Sequence, residues 1–260
     1  MGVRELFDLT GRTALVTGGS RGLGLQMAEA LCELGARVAL VARKADELEA
    51  ARDHLVRGGA QDPVVVACDL ADADAIAPMV AAAEAALGPL DILVNNAGAT
   101  WGAATVDLPL AAWNKVIGLN LTATFLVTQE VGRRSMVPRR RGKVINIASI
   151  LGLVGGGDAS RPATLAYNTS KGGIVNFTRS LAAEWAQHDI NVNAIAPGFF
   201  PTKMTRGILE MIGDEAARKA PLRRIGGAED LKGIVALFAS DACSFITGQV
   251  VAVDGGVTAV

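Results

Sequence analysis

Tyr167 and Lys171 stand four residues apart in Ala166-Tyr167-Asn168-Thr169-Ser170-Lys171, and Tyr167 is the only tyrosine of the chain. If this stretch opens a helix, positions i and i+4 share a face, and a phenol and an ammonium point into one cleft. A free tyrosine ionises near about pH 10, and a cation held beside it favours the phenolate, which suits an acid/base working near neutrality. A core-edge tyrosine followed by a solvated lysine has the same spacing, so the pair gains weight only from its surroundings.

Two further polar groups are candidates for the same chemistry. Ser149 is the first residue past the apolar run Val144–Ala148, the place where α/β enzymes present polar groups to ligands. Asn120 sits among Ile117, Leu119, Leu121, Phe125 and Leu126 in a helical stretch from Leu110 to Val137. A buried amide without a partner costs about 1–3 kcal/mol, so local backbone bonding, a helix-to-helix contact or a role in the site must satisfy it.

Near the start, the run Thr13–Val16 reads as a buried strand and is followed by Thr17-Gly18-Gly19-Ser20-Arg21-Gly22-Leu23-Gly24 and an amphipathic helix from Leu25 to Leu34. Strand, glycine turn and helix together form a pyrophosphate cradle, because glycine lets the backbone approach closely and the helix start offers free N–H groups and a positive dipole end. The contacts expected for a dinucleotide here are Gly18, Ser20, Arg21, Gly22, Leu23 and Gly24. The next strand, Val38–Ala42, ends at Arg43 and Lys44. An acid at this point would accept from the ribose hydroxyls of NAD, whereas an arginine pairs with the extra phosphate of NADP. Arg43, with Arg21 as a second cation, therefore favours NADP(H) over NAD(H), and Asp46 with Glu49 reads as a helix N-cap.

Stepping through the rest, Val64–Cys68 is a third strand ending at Asp69-Leu70, where the carboxylate can meet adenine or cap the next helix. A helix from Ala73 to Leu87 leads to the strand Ile92–Val94 and then Asn95-Asn96-Ala97-Gly98, small and amide-bearing residues suited to lie beside a cofactor or to make a turn. After the helix from Tyr167 to about Gln187 come a sixth strand, Asn191–Ile195, and the sharp exit Ala196-Pro197-Gly198. Residues 199–225 read as a lid over substrate or as a packed surface helix, with Phe199, Phe200 and Met204 beside Lys203 and Arg206. A helix near Asp230–Ala239 and a strand Val250–Val253 close the chain. With no linker, repeat or charge block, the expectation is one Rossmann-type domain over residues 1–260, a doubly wound parallel sheet of about seven strands with helices on both faces.

Composition narrows the function classes. At 50% hydrophobic and 20% charged residues, 260 residues bury a sizeable core, and a net charge of −1 argues against coating nucleic acid or an anionic membrane. The run Arg139-Arg140-Arg141 reads as a solvated loop. No uninterrupted apolar run approaches membrane-spanning length, and the first nine residues carry charges where a secretory signal would be apolar. Cys32, Cys68 and Cys243 are scattered in apolar text, as reduced buried thiols of a cytoplasmic protein would be, and His54 and His188 have no second ligand at metal spacing.

Taken together, the glycine loop, Asn95-Asn96-Ala97-Gly98, Asn120, Ser149, Tyr167 with Lys171, and Pro197-Gly198 resemble the short-chain dehydrogenase/reductase family from Gly11 to Gly256. The resemblance implies a catalytic tetrad of Asn120, Ser149, Tyr167 and Lys171. It implies further cofactor contacts at Asp69, Leu70, Asn96, Ala97, Gly98, Tyr167, Lys171, Pro197, Gly198 and Thr202. It also implies a homotetramer, or a homodimer, with the C-terminal strand region buried between subunits. Within the family the chain is most similar to 3-oxoacyl-[acyl-carrier-protein] reductases and gluconate 5-dehydrogenases. The expected activity is hydride transfer between a nicotinamide and a ketone or secondary alcohol, with Ser149, Trp101, Phe199 and Met204 at the substrate and Lys203, Arg206 or Arg161 available to an anionic group. The alternatives are a non-catalytic NADP(H)-sensing regulator and, ranked low, a nucleotide-sugar epimerase or dehydratase. One departure is the longer interval from Ser149 to Tyr167, with Gly155-Gly156-Gly157-Asp158 and Ser160-Arg161-Pro162 inserted, which bears on the pocket wall.

Overall fold

The computed structural model describes residues 1–155 and 163–260. Seven strands form one parallel sheet: β1 (Thr13–Thr17), β2 (Arg37–Ala42), β3 (Val64–Ala67), β4 (Ile92–Asn95), β5 (Gly142–Ile147), β6 (Ile190–Pro197) and β7 (Val250–Val253). Their order is β3-β2-β1-β4-β5-β6-β7, parallel at every pairing. Every residue of β1 and β4 is buried, as a strand covered on both faces must be, which is why those runs read as continuously apolar. The direction of winding reverses between β1 and β4, and the crevice beyond their carboxyl ends is where such sheets take ligands.

The connecting helices are α1 (Gly22–Glu33), α2 (Ala45–Arg57), α3 (Ile76–Leu87), α4 (Leu110–Arg139), α5 (Leu165–Trp185), α6 (Arg206–Lys219) and α7 (Lys232–Ala239). Helix α1 starts at Gly22 rather than Leu25, because the glycine turn runs directly into the helix. The N-cap of α2 is Lys44, with no side-chain cap, so Asp46 does not cap: it lies in the first turn, where a carboxylate meets the helix dipole.

Helix α4 bears on two expectations, and charged residues at Lys115, Glu130, Arg133 and Arg134 interrupt its apolar text. Its 30 residues, with mean hydropathy 1.3 in one 18-residue window, are long and apolar enough by length and composition to cross a membrane. Here it lies against the sheet, and two π-turns, Gly118–Thr122 and Gly132–Met136, keep its polar stripe facing inward. Of the arginine run, Arg140 and Arg141 lie in an exposed turn ahead of β5, whereas Arg139 belongs to the helix. Arg139 ends α4 and donates to Asp91 Oδ1 at 2.7 Å and to the carbonyls of Ser135 at 2.9 Å and Leu90 at 3.2 Å. Asp91 is only 7% exposed at the foot of the sheet, and a buried carboxylate needs a cation.

A buried amide ladder pins α4 and α5 to the sheet. Asn95 on β4 donates to Thr128 Oγ1 on α4 at 2.8 Å and to Asn146 Oδ1 on β5 at 2.9 Å, and Asn146 donates to Thr178 Oγ1 on α5 at 2.9 Å. Thr128 and Thr124 in turn bond the carbonyls one turn back, Thr124 O at 2.7 Å and Asn120 O at 2.9 Å, so the stripe leads up α4 to Asn120. The three cysteines are free, and burial pushes all three thiols up, Cys32 to about 12. Asn146→Val, which strands one donor of Asn95, is expected to cost about 1–3 kcal/mol; urea unfolding checks this as a lower midpoint at unchanged slope.

Candidate active site

A cleft of about 430 Å³ lies along the carboxyl ends of the strands. Each wall residue follows from where a strand stops: Gly18 after β1, Arg43 after β2, Asp69 after β3, Asn96 after β4, Ser149 after β5 and Gly198 after β6. Tyr167 and Lys171 enter from the first turns of α5. The volume is within the range of about 300–1,000 Å³ common to small-ligand and cofactor sites.

At the reactive end, three groups converge. Ser149 has extended backbone and caps a short 3₁₀ turn, Ile150–Gly152, by accepting from Leu151 N at 3.1 Å. That turn rests on α5: a Cβ at Gly152 would lie 2.5 Å from the backbone carbon of Lys171, so only glycine lets the loop come this close. The crossing sets Ser149 against the side chains of α5, near enough for its hydroxyl to act on the Tyr167 phenol. Lys171 is 5% exposed, donates from Nζ to the carbonyl of Ile147 at 2.6 Å and lies 5.7 Å from the centroid of the Tyr167 ring.

The electrostatics differ from the expectation of a phenol lowered by its neighbouring cation. Burial pushes the Tyr167 phenol up, and the group that opposes this is the Ser149 hydroxyl. Burial also lowers Lys171, to about 8. The reason is geometric: the ammonium is anchored at the end of β5 beside the ring, and burial disfavours the charged form of each group.

Asn120 is 1% exposed and lies behind the wall of the cleft. Its Oδ1 accepts from Ala99 N at 2.7 Å, and its Nδ2 donates to Ala99 O at 2.9 Å and to Ser170 Oγ at 2.9 Å. The helix-to-helix contact expected for the buried amide occurs, to Ser170 on α5, but its backbone partner is the distant loop after β4 rather than local backbone. A Cβ at Gly98 would lie 3.2 Å from Asn120 Oδ1 and 3.8 Å from Lys171 Nζ, so the loop passes between these two groups.

The glycine loop is clamped by Asn96, whose Nδ2 donates to Thr17 O at 2.9 Å and Gly18 O at 3.1 Å. Gly18 has φ +64°, and a Cβ there would lie 2.8 Å from that amide nitrogen, so the position requires glycine. Helix α1 has no side-chain cap, and Leu23 and Gly24 at its start line the cleft, which leaves N–H groups for an anion. The residues present thus fit a nicotinamide dinucleotide: a pyrophosphate at α1, and at the far end Arg21, Arg43 and Lys44 for a phosphate on the adenosine ribose.

Ser20, Arg21, Leu23, Leu70, Ala97, Pro197, Thr202 and Met204 line the cleft with the residues above. Gly22 does not; its φ of +55° is what favours glycine there, and Thr202 Cγ2 lies 3.5 Å from where a Cβ would be, an ordinary contact. Asp69 lines the cleft and accepts from Ala71 N at 3.1 Å, while Asp72 caps the next turn. Trp101, 43% exposed, and Phe199 are not brought to the wall, and Phe200, packed over Gly226, takes that place. The loop carrying Trp101 is held instead by Ala103 N donating to Ala163 O at 2.9 Å. Arg161 lies outside the described residues. Sequence reasoning missed Glu47, Cys68 and Leu119 as wall residues; a carboxylate in the first turn after a cation pair was the available signal for Glu47.

With this geometry in view, the likeness to known proteins is informative. Residues 18–258 match the family described as Enoyl-(Acyl carrier protein) reductase. Over 256 residues the chain is 39% identical to gluconate 5-dehydrogenase of Gluconobacter oxydans (strain 621H), covering 98% of this chain and 97% of that one. It is also 39% identical over 259 residues to the rhamnolipids biosynthesis 3-oxoacyl-[acyl-carrier-protein] reductase of Pseudomonas aeruginosa, covering 96% and 97%. A crystal structure of a gluconate 5-dehydrogenase from Burkholderia cenocepacia J2315, in complex with NADP and tartrate, superposes with a TM-score of 0.92 at 32% identity, covering 100% of both chains. Fold, cleft and sequence agree end to end: this chain belongs to the short-chain dehydrogenase/reductase family and is an oxidoreductase.

Proposed function

We propose that this oxidoreductase interconverts a ketone and a secondary alcohol with NADP(H), using Tyr167 as the acid/base. The observation that carries the reading is the convergence of Tyr167, Ser149 and Lys171 at one end of a cleft whose middle is the uncapped start of α1. When bound, the nicotinamide supplies or accepts the hydride. The chain's own residues handle position and the proton.

In the reducing direction Tyr167 donates its hydroxyl proton to the carbonyl oxygen, and Ser149 hydrogen-bonds the same oxygen as charge develops on it. Ser149 and Tyr167 line the same end of the cleft, and the Ser149 hydroxyl opposes the upward push of burial on the phenol, which supports both acting on one carbonyl oxygen. Lys171, held by Ile147 O, stabilises the phenolate left behind and meets the cofactor's ribose. Asn120 acts by position: both hydrogens of its amide are committed to Ala99 and Ser170, so its part is to fix the loop after β4 and the first turns of α5 rather than to hold a water through that group. Residues 199–225, with Met204 on the wall, form the lid of one domain spanning 1–260.

NADP(H) is favoured over NAD(H) because Arg21, Arg43 and Lys44 gather where the 2′-phosphate would lie. The substrate is a sugar acid or a related polyol, or a 3-oxoacyl thioester; relatives are named for gluconate and for 3-oxoacyl-[acyl-carrier-protein]. NADPH oxidation against 5-ketogluconate and a 3-oxoacyl thioester, with NADP reduction against gluconate in parallel, separates them.

General acid–base catalysis contributes about 10²–10⁴ in rate, so Tyr167→Phe is expected to lose that much kcat while NADPH fluorescence titration shows near-unchanged binding. Retention of most of the wild-type kcat would sink the acid/base role. The pH dependence follows from Lys171, which is cationic below about 8 and neutral above. Because kcat/KM reports groups of the free enzyme, its value for ketone reduction is expected to fall on the alkaline side with an apparent pKa near 8. A profile flat to pH 10, measured by initial rates, would remove the charge of Lys171 from the mechanism.

A further inference from the structure

Lys203, expected from its neighbours to meet an anionic substrate, lies at the opposite end of the cleft. Its Nζ is 3.9 Å from Glu47 Oε1, which also faces Lys44 Nζ at 3.3 Å, while Glu47 Oε2 accepts from Arg21 Nη1 at 2.6 Å. One carboxylate thus collects cations from three separate segments: the glycine loop, the turn after β2, and the segment after β6. Arg43 lines the same end, and the uncapped N-terminus of α2 adds its positive field. Burial alone would raise the Glu47 carboxyl, but Lys44, Arg21 and Lys203 together hold it below its usual range.

We propose that Glu47 keeps the place of the ribose 2′-phosphate in the cofactor-free protein, and that Lys203 passes the exchange of carboxylate for phosphate to the segment over the substrate. The inference rests on the NADP(H) reading above and extends it to the lid. A phosphate near −2 attracts these cations more strongly than a single carboxylate and repels Glu47, so the cations change partner. Arg21, Arg43 and Lys44 belong to the cofactor side of the cleft, and their exchange stays local. Lys203 does not. It is flanked by Thr202, which packs at Gly22, and by Met204 on the wall, and α6 starts at Arg206. Drawing Lys203 onto the phosphate therefore fastens residues 199–206 across the cleft. NAD(H), lacking the phosphate, leaves Lys203 on Glu47 and the segment as it stands.

The side chain of Lys203 is 60% exposed, so substitution there does not threaten folding. The probes are 2′,5′-ADP and 5′-AMP, which differ by this phosphate alone, titrated calorimetrically into the full chain. Lys203→Ala is expected to weaken 2′,5′-ADP about three- to tenfold, the scale of an exposed charge pair onto a dianion, with 5′-AMP unchanged. Lys203→Arg restores the affinity, and Glu47→Gln raises it for 2′,5′-ADP only. In wild type, 2′,5′-ADP but not 5′-AMP slows tryptic cleavage after Arg206, and Lys203→Ala abolishes that protection. An affinity for 2′,5′-ADP left unchanged by Lys203→Ala, or protection by both probes alike, overturns this inference and leaves the cofactor preference standing. Equal wild-type affinities for the two probes overturn both.

Discussion

A lysine ammonium shut away from water is costly, and the cleft is built around meeting that cost. Lys171 is 5% exposed and reaches the carbonyl of Ile147, the last residue of β5, at 2.6 Å. This single bond joins the helix that carries the reactive phenol to the edge of the sheet. It fixes where Tyr167 stands relative to Ser149, two residues further along the same chain segment. The crossing of Gly152 over α5 and the amide ladder from Asn95 to Thr178 hold the helix at the distance the bond requires. Loss of any of these would leave the ammonium buried without its acceptor, which a low-dielectric interior penalises more than the loss of one exposed contact.

The two ends of the cleft solve opposite electrostatic problems. At the end lined by Tyr167 and Lys171 charges are scarce: burial disfavours both the phenolate and the ammonium. At the adenosine end charge is abundant, and Arg21, Lys44 and Lys203 converge on Glu47. Between them the start of α1 offers N–H groups and no charged side chain to cap them. A dinucleotide bridges this gradient because its own charge is concentrated at one end and the middle, with a weakly charged reactive ring at the other.

Much of this was legible before any coordinates. Continuous apolar runs at Thr13–Val16 and Ile92–Val94 mark strands buried on both faces, and the glycine loop after the first of them marks a ligand crevice, because local sterics and burial act within a few residues. Other features were not. Arg139 looked like part of a solvated run until Asp91, at the foot of another strand, proved to need it. Asn95 and Asn146 sit in apolar strand text, which says that each amide must find a partner but not which one.

The sequence by itself determined the order of strands and helices and the class of fold, and it named the polar groups to look for at the strand ends, since periodicity, turn residues and side-chain type are local properties. Tertiary structure decided how those groups are used. It anchored Lys171 to Ile147 rather than to the phenol, committed the Asn120 amide to Ala99 and Ser170, and kept Trp101 and Phe199 off the wall. It also carried Lys203 to Glu47 and away from the substrate end. Each of these rests on a distance between elements far apart in the chain, set by how helices cross the sheet, and spacing along the chain does not encode that.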